Sequence, residues 1–368
     1  MLAQEDTNAR VLDPFGGSAT TGLLAAERGH RATSVDLNPF LCWFAGVKTA
    51  NYTESILDKV RDMAGICTQV ADSGDQEPWL PSLFNIKRWW SPATLDALGA
   101  LRAAIFQLAV PPVRDLLLVS FARTMIGMSN AAFNHQSMSF RRAREQWNRG
   151  RGGVLDRFQQ EADSLIAAAR PLPGAVRVLE CDGRELLGLE DNSHDVLCTS
   201  PPYANRMSYI RELRPYMYWL GFLAEAREAG ELDWRAIGGT WGIATSRVGA
   251  WEPEGQIPLD GRFTDTLAQI IVANERSGEL LSRYVAKYFH DIWAHVRASF
   301  RVMRHGGRVT YVVGNSTFRG VHVPTHDWYA RLLTEAGFEG ASVTVLRKRN
   351  SNKALYEYAV TAIKPKHR

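Results

Sequence analysis

Cysteine is scarce in this chain of 368 residues, and the few cysteines that occur are scattered. They stand at positions 42, 67, 181 and 198, and no two of them form a CxxC pair. This spacing argues against a zinc site and against a disulfide framework, so we expect no bound metal. A reduced, cytoplasmic setting fits such cysteine usage best.

Long apolar runs are missing as well. The longest candidates, such as Leu116–Phe121, fall far short of the ~18–20 residues that a membrane span needs. The first residues, MLAQEDTNAR, contain acids and no apolar stretch, which excludes a secretory signal at this position and leaves no reason to expect a membrane partner. At roughly 100–200 residues per domain, the length predicts two or three structural units, or one domain with a large insertion.

Net charge says little, but its distribution says more. The chain carries 43 Lys and Arg against 39 Asp and Glu, a formal net charge of only +4. Residues 141–151, RRAREQWNRGR, hold one glutamate and five arginines, which we call the arginine cluster: Arg141, Arg142, Arg144, Arg149 and Arg151. A second basic group comprises Arg347, Lys348, Arg349 and Lys353. Either phosphate contact or a solvated basic surface explains such density.

The order of predicted elements indicates an α/β protein. A strand at 9–14, a Gly-rich turn, a helix and a second strand at 31–36 form a βαβ unit. Residues 55–175 read as a helical insertion, residues 233–265 as irregular, and residues 275–304 as a long helix that a turn separates from the next strand. Further strands are predicted to end near 182, 198 and 313, followed by a hairpin. We therefore predict a doubly wound sheet with an antiparallel C-terminal hairpin, formed by residues 1–54 and 176–368.

Acidic residues follow three of these predicted strands. Asp13 opens the Gly-rich turn DPFGGSATT (13–21), where the backbone can approach a ligand closely and a helix N-terminus begins. Asp36 ends the next strand and can accept hydrogen bonds from ribose hydroxyls, and Asp182 ends a third strand and can accept from an adenine amine. Each acid alone is more often a cap or turn residue, but three at successive strand ends favour a site for an adenosine-containing, cationic cofactor.

The segment TSPPY (199–203) is the most specific motif in the chain. Two prolines at a strand end remove two backbone donors and stiffen the chain, leaving carbonyls to accept from another group. Ser200 adds a small polar acceptor and Tyr203 an aromatic face. Together they suit a planar ring held by its exocyclic amine. A proline-terminated strand with a buried tyrosine is the structural alternative.

Both motifs together resemble those of the amino-methylating DNA methyltransferases, which have a Rossmann-like class I methyltransferase sheet. DPFGGSATT is similar to the cofactor motif DPFxGxGTT, SVDLNP to the second motif, and TSPPY to the catalytic (D/N/S)PP(Y/F) motif in its Ser form. The resemblance extends to KRWWSPATLDALGALRAAI and to MRHGGRVTYVVGNS. It implies S-adenosyl-L-methionine as cofactor, bound by Asp13, Phe15, Gly17, Thr20, Asp36 and Asp182, and a flipped base held by Ser200, Pro201, Pro202 and Tyr203.

Two departures from the family pattern accompany this resemblance. Ala19 replaces the usual second glycine of the cofactor turn. Only 12 residues precede Asp13, so the motif that the family has upstream is expected elsewhere, replaced, or supplied by a partner chain.

The resemblance also implies a reaction and partners. The Ser form favours the N4 amine of cytosine in double-stranded DNA, in a restriction-modification or defence system with its cognate proteins. An N6-adenine enzyme, an RNA base methyltransferase and a catalytically silent DNA-binding subunit are the alternatives. We expect the arginine cluster to grip DNA phosphates, and residues 55–175 or 204–280 to read the sequence.

Overall fold

The computed structural model describes residues 8–132, 139–141, 150–240, 242–349 and 354–366. The chain divides into two compact units. The sheet unit comprises Met1–Thr49, Leu172–Tyr209 and Gly230–Arg368, and the helical unit comprises Ala50–Pro171 and Ile210–Ala229. Residues 210–229, which lie in the segment 176–368 that the sequence assigns to the sheet, group with the helical unit.

Eleven strands occur in the described part of the chain. In chain order they are β1 (Arg10–Asp13), β2 (Arg31–Asp36), β3 (Ala131–Ala132), β4 (Ser139–Phe140), β5 (Ala175–Glu180), β6 (His194–Thr199), β7 (Met303–Gly314), β8 (Ser316–Phe318), β9 (Val321–Val323), β10 (Glu339–Lys348) and β11 (Tyr356–Ile363). Seven of them form one sheet in the order β10-β11-β7-β6-β1-β2-β5, while β3-β4 and β8-β9 are short antiparallel pairs.

Helices connect these strands and build the helical unit. They are α1 (Thr20–Glu27), α2 (Pro39–Thr49), α3 (Glu54–Ser73), α4 (Ile86–Trp89), α5 (Pro92–Leu108), α6 (Val113–Gly127), α7 (Gly150–Ala168), α8 (Tyr209–Leu220), α9 (Ala226–Arg235), α10 (Ile243–Ala250), α11 (Gly261–Val272), α12 (Gly278–Val302) and α13 (Thr325–Glu335). Local sequence explains several limits. Thr53 caps α3 and Gly74 ends it with a left-handed backbone, and Ser91 caps α5 just before Pro92.

Pairing directions confirm the predicted fold class. β5, β2, β1, β6 and β7 run parallel, whereas β11 is antiparallel to both β7 and β10. This is the Rossmann-like class I methyltransferase sheet with an antiparallel C-terminal hairpin, and the helical insertion is present as α3–α7. The strand order reverses direction between β1 and β6, so the crevice at their carboxyl ends is the expected ligand site of such a sheet.

Some predicted details were wrong. β5 ends at Glu180, so Asp182 lies in the turn beyond it, and β7 follows α12 directly at Met303. The segment 233–265, expected to be irregular, contains the end of α9, the whole of α10 and the start of α11. Short helices rich in glycine and tryptophan give weak periodic signals, which explains this miss.

Candidate active site

A buried hydrogen bond joins the two predicted motifs at the point where the strand order reverses. The Thr199 hydroxyl at the end of β6 donates to Asp13 Oδ1 at the end of β1, at 2.6 Å. Both residues are buried, with 2% and 5% of their surface exposed. The Gly-rich turn and TSPPY therefore start from one fixed contact, although they are 186 positions apart in the chain.

The Gly-rich turn is fastened to the end of β2. Asp36 Oδ2 accepts from the Gly17 amide at 2.9 Å, and its Oδ1 accepts from the Asn38 amide at 2.8 Å. The Gly16 amide donates to the Val35 carbonyl at 2.7 Å. A Cβ on Gly16 would lie 1.8 Å from the Ser34 Oγ, so this approach requires glycine.

Burial sets the charge of the two acids in this turn. It raises the pKa of Asp36 to about 6, although the Asn38 and Gly17 amides oppose the shift, and the negative charge of Asp13 adds to it. Burial also raises the pKa of Asp13, against the hydrogen bonds from Thr199, Thr21 and the Phe15 amide. A cationic ligand would relieve the repulsion between the two carboxylates.

Ala19, the departure from the family pattern, adopts the left-handed conformation that favours glycine. Its φ is 54° and its ψ 39°, and it is fully buried at the N-terminus of α1. Thr20, the first residue of α1, is exposed, and its hydroxyl lies 3.3 Å from that of Ser18. The turn thus tolerates the methyl group at a cost in backbone strain of about 1–2 kcal/mol.

Asp182 is engaged by a neighbouring arginine. Its Oδ1 accepts from the amide and Nε of Arg184 at 2.9 and 3.0 Å, and its Oδ2 accepts from Arg184 Nη2 at 2.6 Å. Arg184 also pairs with Asp291 at 3.0 Å. Although burial opposes it, Arg184 holds the pKa of Asp182 below its ordinary value. The predicted contact between Asp182 and adenine therefore competes with Arg184.

Phe15 packs where the turn after β5 approaches the Gly-rich turn. Its ring centroid lies 4.7 Å from that of His295, and a Cβ on Gly183 would lie 3.0 Å from the Phe15 ring. His295 Nδ1 donates to the Gly183 carbonyl at 2.6 Å, and Nε2 faces the Tyr311 hydroxyl at 3.0 Å. Because burial lowers the pKa of His295 to about 4, this imidazole is neutral and structural.

TSPPY follows β6, and hydrogen bonds with residues of β7 and α12 hold two of its polar groups. Ser200 is exposed, its hydroxyl donates to the Val312 carbonyl of β7 at 3.2 Å, and its side chain also hydrogen-bonds with that of Tyr203. The Pro202 carbonyl accepts from the Tyr288 hydroxyl at 2.8 Å, and Pro201 is buried. The half-buried Tyr203 ring lies against Gly314, where a Cβ would be 3.0 Å from it.

The arginine cluster lies mostly outside the described residues, which include only Arg141 and Arg151. Arg141 is exposed. Arg151, in the first turn of α7, donates to the Ala71 carbonyl at 2.8 Å and pairs with Asp96. The guanidinium of Arg151 is thus used within the helical unit, and phosphate contact by the cluster stays a prediction.

Sequence analysis missed several residues that shape this site. Lys48 Nζ donates to the Ser18 carbonyl of the Gly-rich turn at 2.9 Å. Tyr288 and His295 both come from α12, and Arg349 places its guanidinium 5.6 Å from the centroid of the Tyr203 ring. Only Arg349 had a signal, as part of the second basic group. The others look like ordinary helix residues until the fold brings them to the site.

Two relatives share detectable similarity with the chain, while no family model matches it. M.BsoBI of Geobacillus stearothermophilus is 21% identical over 195 residues, covering 48% of this chain and 38% of that protein. M.MvaI of Kocuria varians is 20% identical over 346 residues, covering 86% and 72%. Both are named type II methyltransferases. The chain is thus similar to two type II methyltransferases, over about half of its length to one and most of its length to the other.

Two solved structures also show weak similarity to this chain. A Thermus thermophilus protein named as a putative DNA modification methylase, complexed with S-adenosyl-L-methionine, covers 51% of this chain and is itself covered to 54%, with 18% identity and a TM-score of 0.26. A SAM-dependent methyltransferase of Methanosarcina mazei covers 99% and is covered to 96%, with 10% identity and a TM-score of 0.34. TM-scores this low do not establish a common fold, so the fold assignment rests on the sheet order.

Two kinds of feature do not occur in the described part of the chain. It contains no group of three or more His, Cys, Asp or Glu side chains arranged to hold a metal ion. Its helices are also too short or too polar to span a bilayer.

Proposed function

We propose that this protein is an S-adenosyl-L-methionine-dependent DNA methyltransferase that modifies the N4 amine of a cytosine flipped out of double-stranded DNA. The observation that supports it best is the bond from Thr199 to Asp13, because it fixes the Gly-rich turn and TSPPY at one end of the sheet. A cofactor bound at one motif and a base held at the other would then lie side by side.

The residues around the Gly-rich turn fit the proposed cofactor. Asp36 would accept from the ribose hydroxyls, while Phe15, Gly17 and Thr20 would line the site beside Asp13. The two buried carboxylates suit a sulfonium cation. The cofactor would supply an electrophilic methyl group. Asp182 would contact adenine only in competition with Arg184.

TSPPY would activate the amine by accepting hydrogen bonds from its two N–H groups. The lone pair of an exocyclic amine is delocalised into the ring, which makes the amine a poor nucleophile. Acceptance by Ser200 Oγ and the Pro201 carbonyl would draw the nitrogen toward a tetrahedral geometry, and each such contact typically contributes a few kcal/mol. Because the hydroxyl of Ser200 donates to the Val312 carbonyl, a lone pair of its oxygen would be left to accept from the amine. The amine becomes acidic as it is methylated, so no strong base is required.

Base extrusion would cost a few kcal/mol, because the target is paired and stacked in the duplex. Stacking on the half-buried Tyr203 ring would recover part of this cost. The arginine cluster would hold the backbone through phosphates, mostly without reading sequence. The type II names of both relatives support a role in restriction-modification.

The Ser form of the motif favours cytosine over adenine, for which Asp or Asn is usual at that position. An N6-adenine activity is the second candidate, since the family resembled here includes enzymes whose motif form does not match the usual target base. An RNA base methyltransferase and a silent DNA-binding subunit are less favoured, the latter because the TSPPY motif is intact.

Incubation with labelled S-adenosyl-L-methionine and DNA, followed by mass spectrometry of the nucleosides, tests this proposal. N4-methylcytosine is expected, whereas N6-methyladenine would favour the second candidate. Tyr203→Ala should bind cofactor and lose most transfer, and Ser200→Ala should show a milder loss. Weakened cofactor binding with normal turnover per bound cofactor would refute the assignment of TSPPY to the base.

A further inference from the structure

Arg349 stands beside the face of the proposed base site, although the sequence groups it only with a basic segment. Its guanidinium carbon lies 5.6 Å from the centroid of the Tyr203 ring. A Cβ on Gly314 would lie 3.0 Å from that ring and 3.3 Å from the same guanidinium carbon. The glycine therefore allows the tyrosine and the arginine to share one small space.

The guanidinium of Arg349 is held in place but only partly satisfied. Its Nη2 donates to the Asn315 carbonyl at 2.6 Å, while its buried Nε has no hydrogen-bond partner among the described residues. Arg347, two positions earlier, forms an ion pair with Glu357 at 2.6 Å, whereas Arg349 pairs with no carboxylate in the described part of the chain. A buried donor without an acceptor is costly, and a bound ligand is one group that can supply an acceptor to this guanidinium.

The backbone around Arg349 fixes this position from two sides. The Arg349 amide donates to the Leu355 carbonyl at 2.8 Å. Asn315 receives a bond from the Tyr356 amide at 2.8 Å and donates from Nδ2 to the Ala354 carbonyl at 3.1 Å. The same residue thus joins β7 to the start of β11 and anchors the arginine. A preorganised cation loses little side-chain entropy when it binds a ligand.

We propose that Arg349 contacts the extruded nucleotide, with its guanidinium donating to an oxygen of that nucleotide, either the adjoining phosphate or the ring carbonyl. The inference rests on the proposed function. The planar, permanently charged fork of arginine suits an oxygen acceptor next to a stacked ring. Arg349 thereby adds a polar grip to the stacking by Tyr203.

The test compares Arg349→Gln and Arg349→Lys with the control Arg331→Gln, which removes an exposed charge paired with Glu335 on α13. Arg349→Gln should lower kcat/KM for DNA by about 10–100-fold while leaving cofactor affinity unchanged. Arg349→Lys should recover part of the loss, and the control should match the wild type. An active wild type with an equally active Arg349→Gln variant overturns this inference and leaves the proposed function standing. A wild type that methylates no DNA overturns both.

Two modified DNAs separate a nucleotide contact from a structural role. One carries a neutral methylphosphonate next to the target nucleotide, and the other carries a C-linked aminopyridine nucleoside that keeps the amine and lacks the ring carbonyl. On the DNA that lacks the contacted oxygen, the wild type should fall to the rate of Arg349→Gln. If, on both DNAs, Arg349→Gln lowers the rate as much as it does on unmodified DNA, the losses from the variant and from the modified DNA are independent. That result would show that Arg349 does not contact the nucleotide.

Discussion

Asp36 makes the cofactor affinity of this protein depend on pH. Its carboxylate is the proposed acceptor for both ribose hydroxyls, and two donors require the ionised form. Burial raises the pKa of Asp36 to about 6. Protonation near that pH would leave one oxygen as a donor and remove a negative charge next to a cationic ligand. We therefore expect affinity to fall as the pH drops through 6.

The size of this effect follows from the ionised fraction. With a pKa of about 6, roughly nine-tenths of Asp36 is ionised at pH 7 and roughly one-tenth at pH 5. The affinity for S-adenosyl-L-methionine should accordingly weaken about tenfold from pH 7 to pH 5. The α-carboxyl and α-amino groups of the ligand, with pKa values near ~3.5 and ~8, change little in this window.

Stability should follow the opposite sign. A carboxyl whose pKa is raised on folding binds more protons in the folded state than in the unfolded state. The Asp36 contribution to the free energy of unfolding should therefore decrease as the pH rises from about 4 to about 6. Binding and stability can be separated because they move in opposite directions across the same range.

Calorimetric titration of cofactor at pH 5, 6, 7 and 8 measures the affinity profile. Asp36→Asn should weaken binding about tenfold or more at pH 7 and remove the slope, since a charged acceptor contributes roughly 1.5–3 kcal/mol. Glu335→Gln, an exposed change on α13, serves as the control and should keep the wild-type profile. An affinity independent of pH between 5 and 7, or an unchanged slope in Asp36→Asn, would refute the reasoning. A purely structural Asp36 that caps the Asn38 amide predicts lost stability without a change in binding.

Three further predictions concern the contacts around the site. Thr199→Val should lower the free energy of unfolding by about 1.5–3 kcal/mol in urea titrations, because it removes one of the hydrogen-bond donors to the buried Asp13 carboxyl. Ala19→Gly should raise that free energy by up to about 1 kcal/mol, since relief of the left-handed strain exceeds the entropy cost of glycine. Neutralising three arginines of the arginine cluster other than Arg151 should weaken DNA binding equally for all sequences and reduce the log–log salt slope by about 0.9 per lost phosphate contact, without changing cofactor affinity. An unchanged salt slope would make the cluster a solvated surface.

The local sequence was enough to predict the parallel strands and the acidic residues at their ends. Asp13 and Asp36 are the last residues of β1 and β2, each directly after a buried valine or leucine. The two aspartates then lie close together, because the carboxyl ends of neighbouring parallel strands lie on the same side of the sheet. Asp182 shows the limit of this reasoning. Its position was predicted within two residues of β5, but its engagement by Arg184 depends on a turn whose geometry the sequence does not display.

TSPPY shows why the remainder could not be predicted. Its serine is oriented by the Val312 carbonyl, 112 positions away, and its second proline carbonyl is held by the Tyr288 hydroxyl, 86 positions away. Neither a valine carbonyl nor a tyrosine within a helix has any feature in the sequence that marks it as a partner. The acceptor geometry of the motif is thus set by β7 and α12, and the five residues alone would not reproduce it on another strand end. Because the Val312 contact uses a backbone carbonyl, substitution of that side chain would leave the serine oriented, whereas Tyr288→Phe would release the proline carbonyl and leave the rest of the motif in place.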